Sequence, residues 1–172
     1  MYDETVGHGA QLMLGLAPDR RGLLPDSDVA RLEEFGAALR MRYGHNLALV
    51  HLPASAEVNA ALDGNEDTFW SMPPGSHHAM LEVDFAKPVT FNRALTMEWL
   101  NDGQRVQKYS IDVWSGNGWK TVARAEAIGH KKIDRFPAVT AARVRLNILS
   151  STDAAAIREF QLCLVEESAS AH

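Results

Sequence analysis

Asp63, Asn65 and Thr68 are three of the five oxygen-bearing side chains that crowd the short stretch Ala61-Leu62-Asp63-Gly64-Asn65-Glu66-Asp67-Thr68-Phe69-Trp70. Gly64 takes positive φ without steric cost, and Asp and Asn side chains bond their own backbone, so the residues suit a tight turn. Carboxylate, amide and hydroxyl oxygens with backbone carbonyls between them are also the donors that a calcium ion accepts, at about 2.3–2.6 Å. A metal-free surface turn with Asx capping uses the same residues equally well. The spacing is not that of an EF-hand, which has acidic residues at alternate positions and a closing Glu. A metal here therefore needs a further ligand from far along the chain. Phe69 and Trp70 are expected to anchor the following segment in a core.

The elements that must hold this turn follow from composition and periodicity. The chain has 172 residues, 46% of them hydrophobic, which suits one globular domain of ordinary size with a smaller piece beside it. A formal charge of −5 opposes a phosphate backbone or an anionic membrane as main partner, so neither nucleic acid nor membrane is expected. Lys131-Lys132 is the nearest approach to a basic patch, and a pair that short reads as a solvated strand edge. No apolar run approaches the ~18–20 residues that span a bilayer. The start, Met1-Tyr2-Asp3-Glu4, lacks the layout of a secretory signal. Cys163 is the only cysteine, so no internal disulfide forms, and its neighbours Leu162 and Leu164 suggest a strand.

Residues 10–16 are apolar almost throughout, the pattern of a strand buried on both faces. Pro18-Asp19-Arg20-Arg21-Gly22 breaks it. Pro25 opens a helix with Asp26 and Asp28 in its first turn, Val29, Leu32, Phe35, Gly36 and Leu39 fall at helical spacing, and Gly44 stops it. This βα unit, residues 1–44, has no partner strands in the chain and looks like the end of something larger. A complete (β/α)8 barrel needs about 250 residues. From residue 45 the period changes to two: Leu81, Val83 and Phe85, then Leu95, Met97 and Trp99, then Tyr109, Ile111 and Val113. Asn117-Gly118 marks a hairpin returning at Trp119, and Val144, Leu146 and Ile148, then Phe160, Leu162 and Leu164, complete the set. Short strands without intervening helices predict a β-sandwich of jelly-roll type over residues 45–166, with a frayed tail at 167–172.

The turn at 61–70, Leu81-Glu82-Val83-Asp84-Phe85, Tyr109-Ser110-Ile111-Asp112-Val113, Val144-Arg145-Leu146-Asn147-Ile148 and Ile157-Arg158-Glu159-Phe160, in that order, resemble a discoidin-type, coagulation factor 5/8 type C module over residues 47–166. The resemblance implies a structural calcium held by the turn, with Glu159 completing the shell. The alternative for Glu159 is a rim carboxylate paired with Arg158 or a neighbouring strand. Residues 11–25 with Val29, Leu32, Phe35 and Gly36 resemble the last strand and helix of the catalytic barrel of α-L-fucosidases, glycoside hydrolase family 29, whose bacterial members often carry such a module. Gln104-Arg105-Val106 and residues 128–132 are similar to segments of those modules, whereas Gly15 stands where that strand usually carries Asn.

Retaining glycosidases use two carboxyl groups about 5–5.5 Å apart. The resemblance places both on barrel strands that precede this chain, so no catalytic residue is expected here, and the missing barrel of the same polypeptide is the expected partner. It also implies a periplasmic or extracellular setting. A fucosylated or galactosylated glycan is held by one aromatic face and a few hydroxyl partners. In discoidin-like sugar binders the site lies on loops corresponding to residues 71–78 and 99–105. These offer His77 and His78, then Trp99, Asn101, Asp102, Gln104 and Arg105, with Arg105 the leading candidate. Trp99 shares parity with Leu95 and Met97 and is equally suited to a core, and Arg105 to a clamp within its loop. A protein- or lipid-docking module with Met72-Pro73-Pro74-Gly75 as its spike, and a plain cap over the barrel, are the competing roles.

Overall fold

The computed structural model describes residues 1–49 and 56–166. The expected tail at 167–172 lies outside them. Six antiparallel strands run β1 (Trp70–Ser71), β2 (Ala79–Glu98), β3 (Val106–Trp114), β4 (Trp119–Ala125), β5 (Lys132–Ser151) and β6 (Ala156–Cys163), in the order β1-β6-β2-β5-β3-β4. Helices α1 (Tyr2–Thr5), α2 (Asp26–Tyr43) and α3 (Ala56–Asn59) precede them.

β2 and β5 are 20 residues each, and they pair along most of their length. The first half of β2 lies on the last half of β5, which also carries β3 and through it β4. The second half of β2 lies on the first half of β5 and carries β6 and β1. The ladder loses register between Asp84 and Val89, where Pro88 has no N–H to give, so the ribbon bends there and its two halves face each other. Leu81, Val83, Phe91, Tyr109, Ile111, Leu146, Ile148, Phe160 and Leu162 fill the space between them. The predicted β-sandwich is the observed fold.

Parity fails in two places: Leu164, expected to follow Phe160 and Leu162 inward, lies past the end of β6 and is 49% exposed, and β2 changes face part-way along. A second irregularity between Phe91 and Arg93 turns Leu95 and Met97 away from the main core. They form a small outer cluster with Ile133, against which Tyr2 and Tyr43 pack. The hairpin closes between Ser115 N–H and Gly118 O at 3.0 Å, with positive φ at Gly116 rather than at Asn117.

Helix α2 forms as expected, with Pro25 as its N-cap and Gly44 as its C-cap. The expected strand at 10–16 does not form: these residues have no regular structure, and Met13 is 87% exposed. A strand that buries both faces requires neighbours on both, and none of the six strands lies there. Leu14, Leu16, Leu23, Leu24 and Val29 are exposed with it. Residues 1–44 are tied to the sandwich by Tyr2 and Tyr43 packing on that outer cluster, by the Ile133 N–H donating to Gly7 O at 2.9 Å and by a bridge between His8 and Lys132, while the Tyr43 hydroxyl donating to Asp3 at 2.7 Å holds α2 to the N-terminal turn.

Leu146→Ala empties a fully buried position between the two halves and should lower unfolding free energy by about 2–5 kcal/mol. Met13→Ser, at a site without a packed environment, should shift it by less than about 0.5 kcal/mol. Urea denaturation of both variants measures the contrast.

Candidate functional site

The turn at 63–68 is built as its residue types dictate. Asp63 Oδ1 accepts from the Asn65 N–H at 2.8 Å, Asn65 Oδ1 accepts from the Asp67 N–H at 3.1 Å, and Gly64 has φ +73°. Thr68 Oγ1 lies 2.9 Å from both Asp63 carboxylate oxygens and from Asn65 O. Glu159 comes from β6 to the same place. It is 1% exposed, and its carboxylate accepts from Gly64 N–H and, at 3.2 Å, from Gln161 Nε2. Its other oxygen, Oε1, is buried with no hydrogen-bond partner. Burial, with Asp63 and Glu66 adding repulsion, pushes its pKa up to about 7.

The four predicted ligands therefore belong to one locality. No cluster of three or more His, Cys, Asp or Glu side chains placed to hold a metal occurs among the described residues. A hard cation at this turn would take two carboxylates, Asp63 and Glu159, and complete its shell with the Asn65 amide, the Thr68 hydroxyl and carbonyls. The orphaned oxygen of Glu159 fits such an ion, because an unpaired carboxylate oxygen out of water is costly without a hydrogen bond or a cation.

Immediately after the turn, Trp70 is buried as expected, but Phe69 is 40% exposed and does not join the core. Neighbours on an extended chain face opposite ways, so one of the two must point outward. The Phe69 ring stacks on Trp99, centroids 4.5 Å apart and planes 34° off parallel. The Arg158 guanidinium lies 4.9 Å from the Trp99 ring. Phe69 forms one wall of a cleft of about 350 Å³, with Ser71, Pro74, Asp102, Arg105 and Asp153 around it.

This cleft draws on both predicted loops, yet of the seven loop residues named as sugar-binding candidates only Asp102 and Arg105 line it. Arg105 is also a clamp: Nη1 donates to Ala154 O at 2.6 Å, and Nη2 is 3.9 Å from Asp153 Oδ2. Trp99 supports Phe69 from behind. His77 bonds Ser151 twice, its carbonyl accepting from the Ser151 N–H at 3.0 Å and its Nδ1 lying 2.9 Å from Ser151 O. His78 and Asn101 are exposed outside the cleft lining. Gln104 borders a separate polar cavity with His8 and His130.

Glu98 is the positioning residue that periodicity hides. It is 2% exposed, and its Oε1 accepts from Arg105 N–H at 2.6 Å and Val106 N–H at 2.9 Å, while Oε2 accepts from Gly129 N–H at 3.3 Å. One carboxylate thus pins the loop at 99–105 to the one at 126–129. Burial holds its pKa above the usual glutamate range, opposed by those three N–H groups. A polar residue among buried ones, Ala94 to Met97, was the available signal.

The F5/8 type C domain profile matches residues 51–160, more than half of the chain. The chain belongs to the F5/8 type C domain family. Over 83% of its length it is 24% identical to Alpha-L-fucosidase 1 of Arabidopsis thaliana, of which it spans 31%. That share of this chain exceeds residues 51–172, so the likeness runs back toward α2. The crystal structure of SpGH29 superposes with a TM-score of 0.77 at 27% identity, over 96% of this chain and 38% of that one. A chitosan-binding module of a chitosanase/glucanase from Paenibacillus sp. IK-5 gives 0.60 at 25% identity, over 69% of this chain and 98% of the module. The F5/8 type C sandwich thus corresponds to a whole free-standing module, while the chain spans about a third of the fucosidase relative.

The raised pKa of Glu159 gives the ion-free F5/8 type C chain a pH dependence. A folded value above the unfolded one means that the native state holds the proton more tightly. The stabilisation is complete below about pH 4.5 and lost as pH rises through about 7. At about 1.4 kcal/mol per unit the loss is roughly 3 kcal/mol. In chelator, Glu159→Gln should therefore gain stability over the parent chain at pH 8 and lose that advantage at pH 4, as read by urea unfolding at both values.

Proposed function

We propose that this chain is the C-terminal accessory part of a retaining α-L-fucosidase, and that its sandwich binds glycan at the cleft walled by Phe69. The observation that supports the binding role best is the half-exposed Phe69 ring, held by Trp99 beside the donors and acceptors of Arg105, Asp102, Asp153 and Ser71. An aromatic face takes the C–H side of a sugar ring and a few polar groups take its hydroxyls. Likeness to a chitosan-binding module and to fucosidases supports a carbohydrate ligand, with fucosylated or galactosylated glycans as the class to test first.

The exposed apolar side chains at 13–29 support a second element of the proposal. Met13, Leu14, Leu16, Leu23, Leu24 and Val29 would be covered by the catalytic barrel of the same polypeptide, with residues 1–44 and their helix α2 as its final segment. Chemistry then belongs to that barrel, and this chain by itself performs none. A fucosidase acting on glycans outside the cell suits a periplasmic or extracellular site. No helix among the described residues is long and apolar enough to cross a membrane. The lipid-docking alternative keeps Pro73, Pro74 and Gly75 exposed but loses Met72 from its spike, which is 2% exposed with its sulfur against the Ala155 N–H at 3.3 Å.

On an array, the chain should be retained by fucosylated or galactosylated glycans, and Phe69→Ala should abolish retention with the melting temperature moved by no more than a few degrees. Silence of the parent chain on every glycan would leave the capping role instead. The same sample should release nothing from a chromogenic α-L-fucoside, and turnover would refute the division of labour.

We further propose that Asp63, Asn65, Thr68 and Glu159 hold a structural calcium ion, which would neutralise the turn's carboxylates and close it. Saturating calcium should then stabilise the chain by about 1–3 kcal/mol relative to chelator by mass action. Glu159→Gln should abolish the response in differential scanning calorimetry.

A further inference from the structure

The turn and the cleft are joined through two pairs of consecutive residues. Thr68 contacts Asp63, and its neighbour Phe69 walls the cleft. Glu159 reaches Gly64, and its neighbour Arg158 covers Trp99, the ring behind Phe69. A β-bulge makes the second pair possible. Met97 is opposite Glu159 and Glu98 is opposite Ile157, so Arg158 is the extra residue. Such a bulge re-aims a side chain that regular pairing would send elsewhere. Arg158 Nε and Glu159 Oε1 are both buried without hydrogen-bond partners, one on each side of this junction.

We propose that a divalent cation at the turn positions the Phe69–Trp99–Arg158 stack, so that cation and glycan binding strengthen each other. The inference rests on the cation and cleft readings above and adds the linkage between them. Without the ion, the Glu159 carboxyl sits beside the Asp63 and Glu66 carboxylates with its Oε1 unpaired. A cation between Glu159 Oε1 and the Asp63–Thr68 pair would fix the spacing of Thr68 from Glu159. Phe69 and Arg158 must follow, because consecutive Cα atoms are held about 3.8 Å apart. Closing the turn presses Arg158 and Phe69 onto Trp99. Any gain in sugar affinity on adding calcium must equal the gain in calcium affinity on adding sugar.

The test titrates calcium chloride into the chelated 172-residue chain, following heat and tryptophan emission together, in the parent protein, Trp99→Phe and Arg158→Met. All three should bind calcium with similar heat. Emission and acrylamide quenching should change in the parent protein, vanish in Trp99→Phe, which assigns the signal to this ring among the chain's tryptophans, and shrink in Arg158→Met. The affinity for 2′-fucosyllactose should fall about 5-fold or more in chelator, within the usual range of such couplings. Absence of calcium heat in the parent protein overturns the cation reading and the linkage with it. Calcium heat with unchanged Trp99 emission overturns the linkage and leaves the cation reading standing. A Trp99 response without any 2′-fucosyllactose binding overturns the glycan half.

Discussion

The structure depends on one ladder. β2 and β5 pair on both sides of the bend at residues 85–88, so the same two strands belong to both halves of the sandwich. Every other strand attaches to this ribbon or to a strand that does. Bending a single ribbon lets Leu81, Val83, Leu146 and Ile148 of one half meet Phe91, Phe160 and Leu162 of the other. It also sends the segments between strands to the sandwich rims, where backbone can meet water and side chains can meet a ligand.

At that rim the site is held by charges taken out of water and then paired. Glu98 spends both carboxylate oxygens on backbone N–H groups of two loops. Asp112 is treated similarly on the opposite edge, bonded by Arg145 Nε at 2.9 Å and Thr121 Oγ1 at 2.8 Å. Glu159 differs from both in leaving one oxygen without a partner. A buried carboxylate costs free energy unless its oxygens are satisfied, which separates a completed structural residue from one that a cation would complete.

The first 44 residues behave unlike the rest. Helix α2 has no buried residue, and the apolar stretch before it lies open. It is attached to the sandwich through the packing of Tyr2 and Tyr43 on Leu95, Met97 and Ile133, the Ile133 N–H donating to Gly7 O, and a bridge between His8 and Lys132. This contrast with the tightly packed sandwich parallels the fractions matched: the whole of a free-standing module, but only about a third of the fucosidase relative.

Local chemistry was legible in the chain itself. Period-two patterning gave the strands, Pro25 and Gly44 bounded the helix, and Asp63-Gly64-Asn65 specified its turn, because each of these signals acts within a few residues. The run at 10–16 misled for the converse reason: an apolar strand states a demand for neighbours and cannot supply them. Alternation also failed at Leu95 and Met97, since one bulge reverses every face beyond it. Only tertiary structure brought Glu159 to Gly64, a separation of 95 positions, and stood Phe69 rather than His77 or Gln104 at the cleft. Residue types and spacing determine what each segment can form, whereas the bend and bulges of the β2–β5 ribbon decide which side chains meet. That register is settled by the packing of both halves together, which no single stretch contains.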